Sequence, residues 1–300
     1  METNIENDNF IILTISGGVG KNILATALVK SIKKKYPKMN IVVLTAWKEV
    51  WLYNPYVYRS YIFGQAPYFY ETYIKGKENV KIFNIEPYST EDYILQKRHL
   101  LDIWCSLYDL PSGETPELFF NQREVEYVQN NIIQGTPYML IQSNGGANDK
   151  NKYSWVRDLP ISTAQNVVNE MAKNIKVIHV RRDDQLPLQN TTQFKGGLRE
   201  LFVLIRESSK RLFIDSMCQH AAKALDKSSV VCWVRNNPHV LGWDIHDNIQ
   251  SDAKEDHNSF DFSLLEPYNI EGDILQCPFK EGSELFDIDE IMQCLTNQKK

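Results

Sequence analysis

The feature that most constrains the fold is an apolar strand that runs through a glycine-rich turn into a helix. Residues 10–15 are FIILTI, residues 16–20 are SGGVG, and Lys21 and Asn22 open the helical segment. Glycines let a backbone approach a ligand closely, and the first N–H groups of a helix attract anions. The segment therefore predicts a strand–turn–helix unit whose turn binds an anionic ligand.

The sequence of this turn is similar to that of a P-loop, the phosphate-binding turn of many nucleoside triphosphatases. A P-loop requires a glycine where Ile15 stands and a serine or threonine where Asn22 stands. Without that hydroxyl the usual contact to Mg²⁺ is lost. A P-loop ATPase and a tight turn without any ligand stay open as alternatives.

Length and composition predict a globular protein with two domains. The chain has 300 residues, of which 43% are hydrophobic and 24% charged, and its net charge is −5. This charge gives no basis for nucleic-acid binding, which usually leaves a basic surface. The basic run Lys33–Lys35 predicts at most peripheral contact with an anionic membrane.

The five cysteines are widely spaced and include no C-x-x-C pair. This pattern favours reduced thiols and argues against a structural zinc site. Residues 1–9 are polar and acidic, unlike a secretory signal peptide, and no apolar run reaches the length of a membrane span. The expected location is the cytoplasm.

Apolar strands and amphipathic helices alternate along the chain. Strands are predicted at residues 10–15, 41–45, 57–63, 138–142, 177–180, 212–215 and 230–234, and helices at 22–36, 122–133, 161–173, 198–208 and 218–225. This alternation is typical of parallel α/β sheets, which bind ligands at the carboxyl ends of their strands. With a hinge at residues 135–137, the chain is predicted to form two Rossmann-like α/β domains, residues 1–134 and 135–300, that face a central cleft.

One run in the second half carries the resemblance to a known family. Residues 212–225, LFIDSMCQHAAKAL, are a strand that ends in Asp215 and Ser216 and leads through His220 into an alanine-rich helix. This run resembles the hallmark of the ADP-heptose:lipopolysaccharide heptosyltransferase family, glycosyltransferase family 9, which has the GT-B fold. Other segments resemble the family in the same order along the chain: 17–28, 54–57, 152–155, 197–201 and 285–295.

The resemblance implies a glycosyltransferase that moves a sugar from a nucleotide-sugar donor to a saccharide or other hydroxyl acceptor. It also implies inversion at the sugar carbon and no metal ion. No cofactor is expected, because the nucleotide sugar is a substrate. The first domain would bind the acceptor through the turn, and the second would bind the donor. The residues of this acceptor loop are Gly17, Gly18, Gly20 and Asn22.

Polar residues that follow two strands are the predicted donor-binding groups: Ser143, Asn144, Asp215, Ser216, His220 and Lys152. N–H groups and a hydroxyl after a strand suit a diphosphate, and a carboxylate suits sugar hydroxyls. The family's lysine lies two positions before the tryptophan that matches Trp155, whereas Lys152 lies three before it, so Lys150 is a second candidate. Two structural alternatives stay open: Asp215 as a helix cap and His220 as a semi-buried histidine.

The sequence departs from the family at two positions. Lys21 stands where the family has an aspartate that serves as general base, and Met217 stands where it has a glycine. A lysine is protonated near neutral pH unless burial lowers its pKa, so Lys21 at the catalytic position suits an acceptor phosphate or the departing diphosphate. If Lys21 takes no part, the base must be sought in the aromatic-rich segment 65–120. A noncatalytic binding or assembly protein with the same fold stays open.

Overall fold

The computed structural model of the protein describes residues 8–145, 157–251 and 284–298. By their contacts these residues form two compact units. The first unit lies within residues 1–87 and 100–121, and the second within residues 88–99 and 122–300. Each unit is built on one parallel sheet, so the predicted α/β class is confirmed.

The first unit contains a four-stranded sheet in the described residues, with strand order β3-β2-β1-β4. Its strands are β1 (Asn9–Ile15), β2 (Asn40–Thr45), β3 (Arg59–Ile62) and β4 (Asn79–Phe83). All neighbouring pairs are parallel. β1 is central because its side chains are apolar on both faces, and Ile11, Leu13 and Ile15 are fully buried.

The second unit contains a six-stranded sheet in its described part, with strand order β10-β9-β8-β5-β6-β7 and parallel pairing throughout. Its strands are β5 (Tyr138–Ile141), β6 (Lys176–His179), β7 (Thr192–Gln193), β8 (Lys210–Ile214), β9 (Val230–Trp233) and β10 (Asp247–Gln250). Ile141 and Ile214, from the two central strands, pack in one core with Val167 and Ile291.

Helices cover these sheets. In chain order they are α1 (Val19–Lys35), α2 (Phe69–Tyr73), α3 (Glu91–Ile94), α4 (Leu100–Ser106), α5 (Gln122–Val128), α6 (Ile161–Met171), α7 (Leu198–Glu207), α8 (Met217–Ala224), α9 (Pro238–Leu241) and α10 (Ile288–Asn297). α5 continues as a π-helical turn, Gln129–Ile133. No helix within the described ranges is long and apolar enough to cross a membrane.

The strand order of each sheet reverses next to its first strand. In the first unit β2 and β3 lie on one side of β1, and β4 lies on the other. In the second unit β6 and β7 lie on one side of β5, and β8, β9 and β10 lie on the other. Such a reversal is a topological switch point, and open α/β sheets bind ligands there, beyond the carboxyl ends of the strands. The switch points lie between β1 and β4 and between β5 and β8.

The division by contacts differs from the proposed boundary between residues 134 and 135. α5 belongs to the second unit, where it packs against α7. Arg199 on α7 donates to both carboxylate oxygens of Glu124 on α5, at 3.0 and 2.8 Å. Residues 88–99 also belong to the second unit. An ion pair between helices far apart in sequence is not visible to a pattern search, which detects the hinge-like residues 135–137 instead.

Candidate functional site

The acceptor-loop residues form the turn between β1 and α1, at the switch point of the first unit. Ser16, Gly17 and Gly18 are exposed. Gly17 has a φ of +89°, which L side chains rarely adopt, and its carbonyl accepts a hydrogen bond of 3.0 Å from Trp47 Nε1. Gly18 is the N-cap of α1 and has no side chain to cover the first N–H groups of the helix, and Gly20 lies in its first turn.

Asn22 supports this loop from inside the unit. It is fully buried. Its Nδ2 donates to the Gly18 carbonyl at 3.1 Å, and its Oδ1 accepts from Thr45 Oγ1 at 2.5 Å and from Trp51 Nε1 at 3.1 Å. Asn22, which stands where a P-loop has its hydroxyl, therefore uses its side-chain hydrogen bonds to hold the loop in place, and its side chain does not face solvent.

Lys21 is buried and ion-paired within its own unit. Only 8% of the residue is exposed, and its ammonium pairs with Oε2 of Glu86. Nζ also lies 3.5 Å from Ser16 Oγ and 5.4 Å from the ring centroid of Trp104. Burial lowers the pKa of Lys21 from its ordinary value, and Glu86 opposes that shift. The anion that the sequence predicts beside Lys21 is present in the chain itself, as Glu86.

Residues predicted to bind the sugar donor come from two strand ends and meet at the switch point of the second unit. Gln142 and Ser143 directly follow β5, while Asp215 and Ser216 directly follow β8. Gln142 Nε2 donates to Ser216 Oγ at 3.2 Å, and this hydrogen bond joins the two strand ends. Ser216 is the N-cap of α8, and its side chain makes no capping hydrogen bond. The alternative that Asp215 caps this helix is therefore wrong.

The turn after β5 is held by a buried carboxylate. Asp158 accepts from the Gly145 N–H at 2.7 Å and from Asn144 Nδ2 at 3.2 Å. Ser143 Oγ lies 2.9 Å from His179 Nε2 and donates to Asn144 Oδ1 at 3.0 Å. Because Ser143 and Asn144 are both buried, they order the turn, and Ser216 remains the more accessible hydroxyl at this edge.

Asp215 is buried, and two groups that the sequence pattern does not reveal act on its carboxylate. Its carboxylate accepts a hydrogen bond from Asn236 Nδ2, and the charge of Arg157 acts on it. Burial raises the pKa of Asp215 from its ordinary value, while Arg157 and Asn236 oppose the shift. The carboxylate is thus costly to keep charged here, which is typical of functional carboxylates.

Arg157 brings a cation to the same edge. Its aliphatic chain passes over Gly145, where an added Cβ would lie 2.5 Å from Arg157 Cδ. Within the part of the chain that the structure describes, Arg157 has no hydrogen bond and no ion pair. Arg157 is partly exposed, and its charge together with the N–H groups at the start of α8, which no side chain caps, gives this switch point positive potential for a diphosphate.

His220 is buried and lies in an aromatic cluster with the partly buried Trp243 and His99. Its Nδ1 accepts a hydrogen bond of 3.0 Å from Trp243 Nε1, and the ring of His99 lies 4.6 Å from that of Trp243. Burial lowers the pKa of His220 to about 3, so the imidazole is neutral at pH 7. This environment fits the semi-buried histidine that sequence analysis left open beside the donor-binding role.

Other carboxylates and the candidate lysines are outside the two switch points or outside the described residues. Lys150 and Lys152 lie outside the described residues. Two further carboxylates, which are not among the predicted site residues, lie at the start of α10: Asp287 caps the helix by accepting from the Asp289 N–H at 2.8 Å. Among the described residues, no three His, Cys, Asp or Glu side chains are grouped as a metal site would require.

Comparison with known proteins gives structural matches without a sequence match. No protein-family model matches the chain, and no curated protein sequence matches it. ADP-heptose LPS heptosyltransferase II of E. coli gives a TM-score of 0.60 at 13% identity, over 80% of this chain and 90% of that chain. A glycosyltransferase family 9 protein of Veillonella parvula gives 0.63 at 11% identity, over 96% of each chain.

A third match extends over nearly the whole chain. The iron-containing dodecameric glycosyltransferase TibC of enterotoxigenic E. coli gives a TM-score of 0.65 at 11% identity, over 98% of this chain and 77% of that chain. These likenesses confirm the predicted GT-B-like fold class and support the resemblance to the heptosyltransferase family. At such identities, what they establish is the fold.

Proposed function

We propose that this protein is a glycosyltransferase that moves a sugar from a nucleotide-sugar donor to a hydroxyl acceptor. The fold that it shares with glycosyltransferases supports the class of reaction. Because one fold can host many activities, the site must carry the rest of the argument. The observation that carries it is the Arg157 guanidinium, which makes no hydrogen bond or ion pair with a described residue and whose charge acts on Asp215 at the switch point between β5 and β8.

In this proposal the second unit binds the donor. The diphosphate lies at the start of α8, where it meets free N–H groups, the Ser216 hydroxyl and Arg157. Asp215 accepts hydrogen bonds from sugar hydroxyls, and Arg157 balances its charge. Met217, the first residue of α8, narrows the approach to the diphosphate compared with the glycine of the resembling family.

The chemistry is a single displacement at the anomeric carbon, which inverts its configuration. The acceptor oxygen attacks that carbon, and the nucleoside diphosphate leaves with the electron pair of the broken bond. Negative charge grows on the leaving diphosphate, so a fixed guanidinium and oriented N–H groups stabilise the transition state more than the ground state. In this scheme the chain's own residues supply that positive charge, and the reaction needs no metal.

ADP-heptose is the donor to test first, because a solved structure of TibC holds ADP-D-beta-D-heptose. That protein gives a TM-score of 0.60 at 13% identity, over 96% of this chain and 72% of that chain. The donor of the present chain is a separate question, so UDP-, GDP- and ADP-linked sugars are compared in the same experiment. The acceptor loop of the first unit would hold the saccharide or other hydroxyl acceptor.

Calorimetric titration of the full chain tests the donor site. We expect ADP-heptose or a related nucleotide sugar to bind and to raise the melting temperature, since a ligand of the native state stabilises it by mass action. Asp215→Ala should weaken that binding at least tenfold. Asp184→Ala is the matched control, because Asp184 is an exposed carboxylate of the same unit that pairs with Arg182.

Each other outcome has a definite meaning. Equal donor affinity in wild type and a folded Asp215→Ala protein would contradict the site assignment. Donor binding without release of nucleoside diphosphate in the presence of saccharides would indicate a noncatalytic binding protein. Magnesium-dependent ATP hydrolysis that is lost in Lys21→Ala would revive the P-loop interpretation.

A further inference from the structure

Glu86 brings a carboxylate to the switch point of the first unit. β4 pairs in parallel with β1, and Phe83 at the end of β4 lies opposite Leu13. The segments that follow these strands therefore leave the sheet at the same edge. They meet there, because Ser16 Oγ donates to Glu86 Oε2 at 3.1 Å. The carboxylate thus lies beside the acceptor loop, where α/β sheets bind ligands.

The structure holds this carboxylate in one orientation. Oε2 accepts hydrogen bonds from Lys21 and Ser16 and lies on the side of the exposed loop. Oε1 is buried, and no described residue donates a hydrogen bond to it. The backbone before Glu86 is also fixed, because the Ile85 N–H donates to the Tyr108 hydroxyl at 2.6 Å. Because Oε1 of Glu86 is buried, the carboxylate presents Oε2 toward the acceptor loop.

The position of Lys21 has a cost that the ion pair alone does not explain. A cation in the first turn of α1 opposes the helix dipole, and burial of an ammonium requires desolvation. Glu86 is 37% exposed at its side chain, and ion pairs with an exposed partner contribute little to stability. An apolar residue over Trp104 would fill the same space at lower cost. What Lys21 provides is a fixed donor that orients Glu86.

We propose that Glu86 is the general base of the sugar transfer, with Lys21 as its positioning residue. This inference rests on the proposed function and assigns the group that takes the proton. The acceptor hydroxyl hydrogen-bonds to Glu86 Oε2 beside Ser16. As its oxygen bonds to the anomeric carbon, its proton passes to the carboxylate. The bond from that carbon to the phosphate oxygen breaks, and its electron pair leaves with the nucleoside diphosphate.

The assignment explains the departure at Lys21. The acceptor loop lacks an acidic residue after Gly20, but the neighbouring strand supplies one to the same edge of the sheet. A carboxylate is ionised at neutral pH and accepts a proton when an attacking hydroxyl becomes acidic in the transition state. The groups that face Glu86 from other elements are Lys21 of α1, Ser16 after β1 and Tyr108 after α4.

Glu86→Gln tests the assignment, because it removes the base and keeps the shape of the side chain. The assay measures ADP release from ADP-heptose in the presence of mixed mono- and disaccharides, and donor affinity is measured in parallel. We expect turnover to fall at least 100-fold, as for loss of a general base, while donor affinity stays within twofold.

Glu117→Gln is the matched control. Glu117 pairs at 3.0 Å with Lys30, which lies on α1, the helix that also carries Lys21. The side chain of Glu117 has the same exposure as that of Glu86, 37%. The Glu117→Gln protein should release ADP from ADP-heptose at the wild-type rate. Glu86→Ala should regain activity when formate is added as an external carboxylate, whereas a merely structural role would not respond to formate. If Glu86→Gln does not fold, Glu86→Asp keeps a carboxylate and should keep a reduced turnover that Glu86→Ala without formate lacks.

The outcomes separate the two proposals. Turnover of Glu86→Gln within threefold of wild type would overturn the base assignment and leave the proposed function intact. Loss of donor affinity in Glu86→Gln would also overturn it, since the residue would then serve donor binding. A wild-type protein that binds no nucleotide sugar would refute the proposed function, and with it the assignment of a base.

Discussion

Gly145 and Arg157 show how one residue makes room for the chemistry of another. The backbone of Gly145 has no need of a positive φ, but an added Cβ would lie 2.5 Å from Arg157 Cδ. The glycine therefore lets the arginine cross the turn after β5 and reach the charge of Asp215. The sequence marks Gly145 as part of a turn, whereas only the structure shows which side chain it admits.

Arg157→Gln should weaken binding of ADP about 10- to 100-fold, because a hydrogen bond to a charged group contributes roughly 1.5–3 kcal/mol. Adenosine, which lacks the diphosphate, should bind both proteins equally if the adenine site is separate. Calorimetric titration of each ligand measures this difference. Arg182→Gln is the matched control, because Arg182 lies in the same unit and is paired with Asp184 at 2.8 Å. Equal ADP affinity in Arg157→Gln and wild type would exclude a phosphate role.

At the scale of elements, the strands inside each sheet could be predicted, whereas of the edge strands only β3, predicted at residues 57–63, could. β1, β2, β5, β8 and β9 are apolar runs, and the structure confirms a strand at each. β4 and β10 were missed, because NVKIF and DNIQ mix polar and apolar residues at the edges of their sheets. Pairing with a neighbour, which local sequence does not encode, makes these segments strands.

The same limit applies to the site. Ser143, Asp215 and Ser216 could be predicted because each closely follows a strong strand. Glu86 could not be chosen within segment 65–120, since its place beside Ser16 depends on the pairing of β4 with β1. Asn236 follows a strand too, but its bond to Asp215 depends on the neighbouring position of β8 and β9. Sequence thus identifies strand ends, and strand order decides which of them meet.

Arg211 anchors β8, the strand that carries Asp215. Its buried guanidinium donates to the Ser228 carbonyl at 2.6 Å and to Ser208, and its backbone exchanges hydrogen bonds with Gln298 after α10. Arg211→Met would leave buried carbonyls without donors, so we expect a loss of about 3 kcal/mol in the free energy of unfolding. Urea denaturation measures it. The control Arg206→Met, at the partly exposed end of α7, should change the free energy of unfolding by less than about 0.5 kcal/mol.

At the scale of the whole molecule, each unit repeats one arrangement. A first strand leads into a turn and stands next to a later strand, and polar residues from both strand ends meet at the switch point. The charges that meet differ. The first unit presents a carboxylate held by a lysine, and the second presents an arginine beside a buried aspartate. The two proposals above require this difference, because a carboxylate in the first unit would accept a proton and positive charge in the second would bind a diphosphate.

Buried histidines link the stability of the molecule to pH. Burial lowers the pKa of His179 and His246 to about 4 and that of His220 to about 3, against an ordinary value of 6.5. The Nδ1 atoms of His179 and His246 are buried without a described partner, so a proton there would find no acceptor. Below pH 6.5 the unfolded chain binds protons that the native protein does not, and stability must fall as the pH falls.

We therefore expect the free energy of unfolding to fall from pH 7.5 to pH 5.5 by up to about 1.4 kcal/mol for each of these histidines. The raised pKa of Asp215 acts in the opposite direction, so the test compares variants with wild type. His246→Gln should reduce the change by about 1.4 kcal/mol, whereas the control His239→Gln, at an exposed position, should leave it unaltered. Urea denaturation at both pH values measures the change. If His246→Gln and wild type lose equal stability, His246 is not neutral in the native protein.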